Sequence, residues 1–259
     1  MFEESEYQIK LLWLALPTAI HILLNFRNTW YERDTGTAQV SILSTLFFAL
    51  SVLEPDGRQH TWLPACMLAF GSIFALASLH ERHLKVRVGL AWGSLCAIIT
   101  AVTILNGAER ANLFFCAFSA TLSLFIMTQY LIVFLEREIE TKLVIGNVWG
   151  LAQHFPRVSG LLLACLILLG CGPGSILFIT EDLILHFASG YSVFAVICIL
   201  IISFSSGVAL YQGYLDLFTG QDLQLEQRFS VRREEPALPL VVGTLLFTLV
   251  LGLCPRFFY

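Results

Sequence analysis

Charge is what this sequence has least of. Asp, Glu, Lys and Arg make up 13 % of its 259 residues, against roughly 25 % in an ordinary soluble domain. A water-soluble enzyme of this size needs a far more polar surface, and a disordered chain needs more charge and fewer apolar residues; both classes are excluded. A basic excess is missing too. The net charge is −4, so nucleic acid is not expected as a partner. There is no Cys-x-x-Cys pair, no Gly-rich phosphate loop, no dinucleotide fingerprint and no His/Cys metal spacing. No metal or other cofactor is therefore expected, and no catalytic chemistry on a substrate is visible. The seven cysteines, Cys66, Cys96, Cys116, Cys165, Cys171, Cys198 and Cys254, each lie in or at the edge of an apolar run. They read as small buried hydrophobes. Met1–Lys10 carries Glu3, Glu4 and Glu6 where a secretory signal has a basic start. The first apolar run is expected to stay in the mature chain as a membrane helix.

What fills the sequence is hydrocarbon. Hydrophobic residues are 57 % of it, and the mean hydropathy is +0.76. The apolar runs are continuous, whereas barrel strands alternate apolar and polar residues, so the expected fold is all-α: a polytopic bundle of transmembrane helices. Eight candidate spans stand out, at 9–26, 37–53, 60–80, 88–107, 111–135, 158–187, 190–215 and 236–255. They form a single transmembrane domain, 1–259, whose polar stretches 136–157 and 216–235 are too short to bury a core of their own.

The basic residues orient the bundle. Loops 1, 3, 5 and 7 hold Arg27, Arg33, Arg82, Lys85, Arg87, Arg137, Lys142, Arg157, Arg228, Arg232 and Arg233; the other side holds Lys10, Arg58, Arg110 and Arg256. The positive-inside rule predicts that the first group, with 136–157 and 216–235, is cytoplasmic and that both termini lie on the outer, periplasmic side.

The sixth span is unlike the others. Its apolar run is interrupted by Gly170-Cys171-Gly172-Pro173-Gly174 and then continues through Glu181 and Asp182. Proline removes a backbone donor and glycine relaxes the chain, so the helix is predicted to break around Gly172-Pro173-Gly174. Broken spans expose helix ends within the bilayer, and a simple kink packed by a neighbour is the alternative. An acidic residue deep in a span costs roughly 2.5–3.5 kcal/mol on insertion scales and usually marks an ion or proton path. His186 follows Glu181 and Asp182 at about one helical turn, close enough to share their face. The alternative places both acids at the interface as the cap of a second half-helix beginning near Thr180.

These residues resemble a known family. Trp149-Gly150-Leu151, Phe155-Pro156-Arg157, Gly172-Pro173-Gly174-Ser175, Phe178 and Glu181-Asp182-Leu183-Ile184-Leu185 are similar to the loop and broken helix of the antiporter-like membrane subunits of respiratory complex I and of Mrp-type cation/proton antiporters. Leu210-Tyr211-Gln212-Gly213-Tyr214 to Phe218-Thr219-Gly220 resembles the end of the helix that follows. The resemblance covers Glu140 to Gly220. It implies that Glu181 stands at the position of the glutamate on the family's central proton path, and that the chain is a proton-translocating or relay subunit of a larger membrane complex, in a bacterial inner membrane. The redox chemistry of an oxidoreductase-type complex would lie outside this chain. Three departures matter. The chain is about half the family's usual length, the fifth span, Ala117 to Tyr130, lacks the family's lysine and histidine, and Thr180 stands where the family has a glycine before the glutamate. Alternatives are a membrane partner of an inorganic-carbon uptake system, with the catalysis in another subunit, and a structural subunit that scaffolds its neighbours. All three imply other membrane subunits as partners, and the lipid bilayer as solvent.

The remaining polar residues carry weaker signals. His21 follows the kink residue Pro17 by four positions and is a candidate for the proton path or, more simply, a packing histidine. Thr128, Gln129 and Tyr130 could line a channel or hydrogen-bond between helices. His80-Glu81-Arg82-His83 reads as a solvated loop rather than a metal site. Ser203, Ser205, Ser206 and Gly207 allow close helix packing. Trp13, Trp30 and Trp62 lie near span ends, as interfacial anchors do.

Overall fold

The structure, a computed structural model, describes residues 62–106, 111–170, 172, 175, 178, 184–186, 189–190, 192–220 and 238–253. The candidate spans 9–26 and 37–53 lie outside these residues. The helices are α1 (Trp62–His80), α2 (Leu84–Asn106), α3 (Ala111–Glu138), α4 (Leu151–His154), α5 (Pro156–Leu169), α6 (Val193–Phe218) and α7 (Leu238–Leu253). Segments Leu84–Ile104, Cys116–Glu138 and Val193–Phe218 are long and apolar enough to cross a membrane, and Pro64–His80, Pro156–Leu169 and Pro239–Val250 are shorter apolar helices. Several boundaries differ from the charge-based reading. Helix α2 begins at Leu84, so Lys85 and Arg87 lie within it, α3 runs through Glu136 and Arg137 to Glu138, α5 begins before Arg157, and α6 runs through Asp216 to Phe218. A span drawn by the absence of charge stops where a helix still has a turn to run.

Helix α2 is the axis of the bundle. It packs against α1, α3 and α6, while α5 lies on α3 and α6, and α7 on α3 and α5. Its spanning segment is 89 % buried inside the protein, against 44 % for that of α6. Small residues let the neighbours close on it. A Cβ added at Gly71 of α1 would stand 2.8 Å from Ala97 Cβ of α2 and 2.9 Å from Ile202 Cδ1 of α6. With no hydrophobic driving force between helices in lipid, this close approach is the main source of association. Gly71→Ala is therefore expected to lower bundle stability by about 1–2 kcal/mol, read as an earlier unfolding midpoint in detergent. Ser94 of α2 and Ser206 of α6 share a buried hydrogen bond of 2.8 Å, which bears out close packing at the serine cluster.

At one end the loops are tied together. Residue 83 forms an antiparallel bridge with residue 144, flanked by Leu84 N–H to Leu143 O at 3.0 Å and Ile145 N–H to Arg82 O at 2.9 Å. Gln153 Nε2 donates to Gly220 O at 3.1 Å. The segments after α1 and α3 and the end of α6 at Gly220 thus meet at a common end.

Candidate functional site

Helix α5 stops inside the bundle. Pro156 sits at its first turn, where a missing N–H costs nothing. Its 14 residues give a rod of ~21 Å, short of the ~30 Å hydrocarbon core. The end is closed by backbone bonds: Gly170 N–H to Leu166 O at 2.8 Å and Gly172 N–H to Ile167 O at 2.9 Å. The second bond, from the residue two beyond the cap back to the third-last carbonyl, is half of a Schellman closure. It brings Gly172 so near the helix that a Cβ would stand 2.6 Å from Ile167 O. Three residues on, buried Ser175 accepts the Phe178 N–H on its Oγ at 3.1 Å, the contact an N-cap makes with the third residue of a helix. Phe178 and Ile184–His186 are helical.

Helix α6 runs alongside the stop. A Cβ on Gly170 would lie 3.7 Å from Gly207 Cα, so the two backbones nearly touch. Next to this contact is a cleft of about 170 Å³, bounded by Leu163, Leu166, Ile167, Gly170 and Gly172 on one side and Gly207, Leu210, Tyr211 and Tyr214 on the other. Gly207 is 11 residues from Phe218, the last residue of α6, so the stop lies ~17 Å along α6 from that helix's end.

Of the residues singled out in the sequence, Glu181, Asp182, Pro173, Gly174 and His21 lie outside the described residues. Gly172 forms the closure above. His186 is exposed, and its carbonyl accepts from Ser189 Oγ at 2.7 Å. Thr128, Gln129 and Tyr130 do not make one lining, because successive helical residues point about 100° apart. Thr128 is fully buried, donates to Leu124 O at 2.7 Å and is in hydrogen-bonding contact with the Cys165 thiol of α5. Gln129 faces α2: its Nε2 donates to Lys85 O at 3.1 Å, while its buried Oε1 has no partner. Tyr130 is half-buried. Among the described residues no group of three His, Cys, Asp or Glu side chains could hold a metal.

Two interior residues escaped the sequence reading. Arg87, counted there as a loop cation, is only 5 % exposed. Its guanidinium donates to three carbonyls: Nε to Glu81 O at 2.8 Å, Nη2 to Leu79 O at 3.2 Å and Nη1 to Ala209 O of α6 at 3.2 Å. The carboxylates of Asp216 and Glu81 attract it. Trp92 is fully buried and stacks on Phe125 of α3 at 4.4 Å, with its Nε1 unpartnered. A signal existed for Arg87. Leu84, Arg87, Val88, Ala91 and Leu95 follow the helical period, so Arg87 falls on the apolar stripe of α2.

No protein-family profile and no curated protein matches this sequence. Solved structures do. A chain of the Mrp complex from Dietzia sp. DQ12-45-1b superposes with a TM-score of 0.66 at 14 % identity, over 83 % of this chain and 49 % of its own length. A chain of respiratory complex I from Thermus thermophilus, determined with bound aureothin, gives 0.57 at 19 % identity over 75 % of this chain and 43 % of its own. At these identities the likeness is one of fold. This chain is a membrane protein with the helical-bundle fold shared by chains of those two complexes, and it spans about half the length of each. Both complexes are the ones whose membrane subunits the Glu140–Gly220 motif resembles.

Proposed function

We propose that this chain is an antiporter-like subunit of a multisubunit membrane complex and that it relays protons through Glu181, in the second half of a helix broken at Gly172-Pro173-Gly174. The observation that carries this reading is the stop of α5 at Gly170, against Gly207 and ~17 Å along α6 from its end, followed by the capping contact of Ser175. A helix end within hydrocarbon is tolerated only where protein or a water-filled space satisfies it. The α5 end is closed by protein bonds from Gly170 and Gly172, and a cleft lies beside it. The C-terminal end of α5 carries partial negative charge and the start of a following half-helix partial positive charge. A carboxylate one to two turns past Ser175 then sits where its proton affinity responds to both ends. Asp182 and His186 extend the same half-helix towards its far end, and His21 is a weaker member of the path.

Other membrane subunits complete the assembly, as in the Mrp complex and complex I that share the fold. The common end of the segments after α1 and α3 and of α6 at Gly220 faces the cytoplasm of a bacterial inner membrane, with the termini outside, because that end gathers the basic residues. A scaffold role is the second reading. It is favoured by the interior of α3, where Thr128 and Gln129 offer no titratable group between Ala117 and Tyr130.

The test is proton flux in liposomes carrying a pH-sensitive dye, with the chain purified together with its bound subunits. Glu181→Gln keeps the size of the side chain and removes the titration. A loss of at least about tenfold in gradient-driven flux, at equal assembly, is expected from removal of a relay group. Wild-type flux at background level, or a mutant equal to wild type, transfers the assignment to the scaffold.

A further inference from the structure

Arg87 has no part in the relay proposed above, and its placement is unusual enough to need a reason. A guanidinium in the interior of a membrane bundle is expensive unless its donors are satisfied, and such residues face partners inside the protein. Arg87 is held by carbonyls from three places: the last turn of α1 (Leu79), the loop after it (Glu81) and the middle of α6 (Ala209). The α6 carbonyl is reachable because residue 213 is glycine. A Cβ there would stand 3.1 Å from Arg87 Cδ, 3.5 Å from its Nη1 and 3.0 Å from Leu84 Cδ1. Ala209, Gly213 and Asp216 recur at helical spacing, so one face of α6 offers Arg87 a carbonyl, an opening and an attracting carboxylate.

The same stretch of α6 presents its other side to the cleft. Gly207, Leu210, Tyr211 and Tyr214 bound it opposite Gly170 and Gly172. The stretch is therefore gripped from behind by Arg87 while its front forms the wall beside the α5 stop. The first turns of α6 are more open, with Val193, Phe194, Ile197 and Leu200 exposed.

We infer that Arg87 is a positioning residue: its three-carbonyl fork, admitted by Gly213, fixes residues 207–214 of α6 against the end of α5 and so sets the width of the cleft. The fork matters rather than the charge. A lysine ammonium is a point donor on a flexible stem and cannot span three carbonyls on three segments. For its effect on transport, this inference rests on the relay reading; for its effect on α6, it does not.

The experiment is amide hydrogen exchange on the full chain with its co-purified subunits in nanodiscs, comparing wild type with Arg87→Lys, Arg87→Gln and Gly213→Ala. Expected is an exchange rate at least about tenfold faster across residues 207–218 in all three variants, with α7 (Leu238–Leu253) unchanged. Arg87→Lys should be no better than Arg87→Gln, since lysine restores the charge and not the fork. Gly213→Ala keeps the guanidinium and decides the matter by the same reading if the Arg87 variants fail to assemble. Unchanged exchange in α6, or full rescue by lysine, overturns the inference. Flux measured on the same samples separates the two proposals. If wild type conducts no protons while α6 loosens as described, the relay reading falls and the positioning role stands. If wild type conducts and Arg87→Gln loosens α6, flux should fall at least threefold, and flux equal to wild type would remove the link between cleft and transport.

Discussion

Truncation of Trp92 to alanine is expected to lower the stability of the bundle by about 3–5 kcal/mol, while Trp92→Phe leaves it within about 1 kcal/mol of wild type. The contrast follows from two properties of one side chain. The indole is fully buried on the central helix, stacked on Phe125 at 4.4 Å and 12°, and tilted against Phe118 at 6.4 Å. Removing it leaves a void walled by α2 and α3 that lipid cannot enter, and the lining atoms lose their dispersion contacts outright. Burial from water is not the source of the loss, because a helix pulled away would meet hydrocarbon. The indole N–H, however, has no partner, and an unpaired buried donor costs roughly 1–3 kcal/mol. Phenylalanine keeps one ring on Phe125 and deletes that donor, so the lost volume is offset. Unfolding midpoints of the two variants in the same detergent check this. A Trp92→Phe loss as large as that of Trp92→Ala would mean that the N–H is bonded in solution to a buried water, and would assign the site a hydrated character.

The overall architecture was legible because composition in a membrane protein is nearly architecture. Continuous apolar runs leave only a helical bundle, and the runs from 88 to 107 and 111 to 135 correspond to α2 and α3 within a few residues. The end of α5 was legible too, since Gly170-Cys171-Gly172-Pro173 does not favour a helix and the helix ends at Leu169. The helix start expected near Thr180 lies outside the described residues; the capping contact within them belongs to Ser175. Arg87 was misplaced for a more general reason. Counting cations by loop treats every basic residue as solvated, whereas a guanidinium with three carbonyls around it needs little water. Reading charge against the helical period, rather than by span, would have put Arg87 on the buried stripe with Leu84 and Val88.

Placing a side chain on Gly172 tests the α5 stop directly, and valine there is expected to destabilise the protein by about 3 kcal/mol. The Cβ would meet Ile167 Cγ2 at 2.6 Å and Ile167 O at 2.6 Å. The first contact could be relieved by a rotamer change at Ile167, which is 46 % exposed. The second cannot, because it is a backbone oxygen in the last turn of α5 and is itself the acceptor of the Gly172 N–H at 2.9 Å. Moving residue 172 away breaks that hydrogen bond and leaves the Ile167 carbonyl unpaired within the bilayer, where water is not at hand to replace it. Gly170→Ala is the milder companion: its Cβ would stand 3.1 Å from Leu166 O and 3.6 Å from Leu210 Cδ1, so it is expected to lower stability by about 1 kcal/mol. Thermal or denaturant midpoints of Gly172→Val, Gly172→Ala and Gly170→Ala give the order. Under the relay reading, flux through assembled Gly172→Ala should fall with stability still above half-assembly, because the displaced segment leads into Ser175 and on to Glu181. A Gly172→Val protein as stable as wild type would mean that α5 does not close on residue 172, and the proposal of a helix broken at Gly172-Pro173-Gly174 would lose its structural footing.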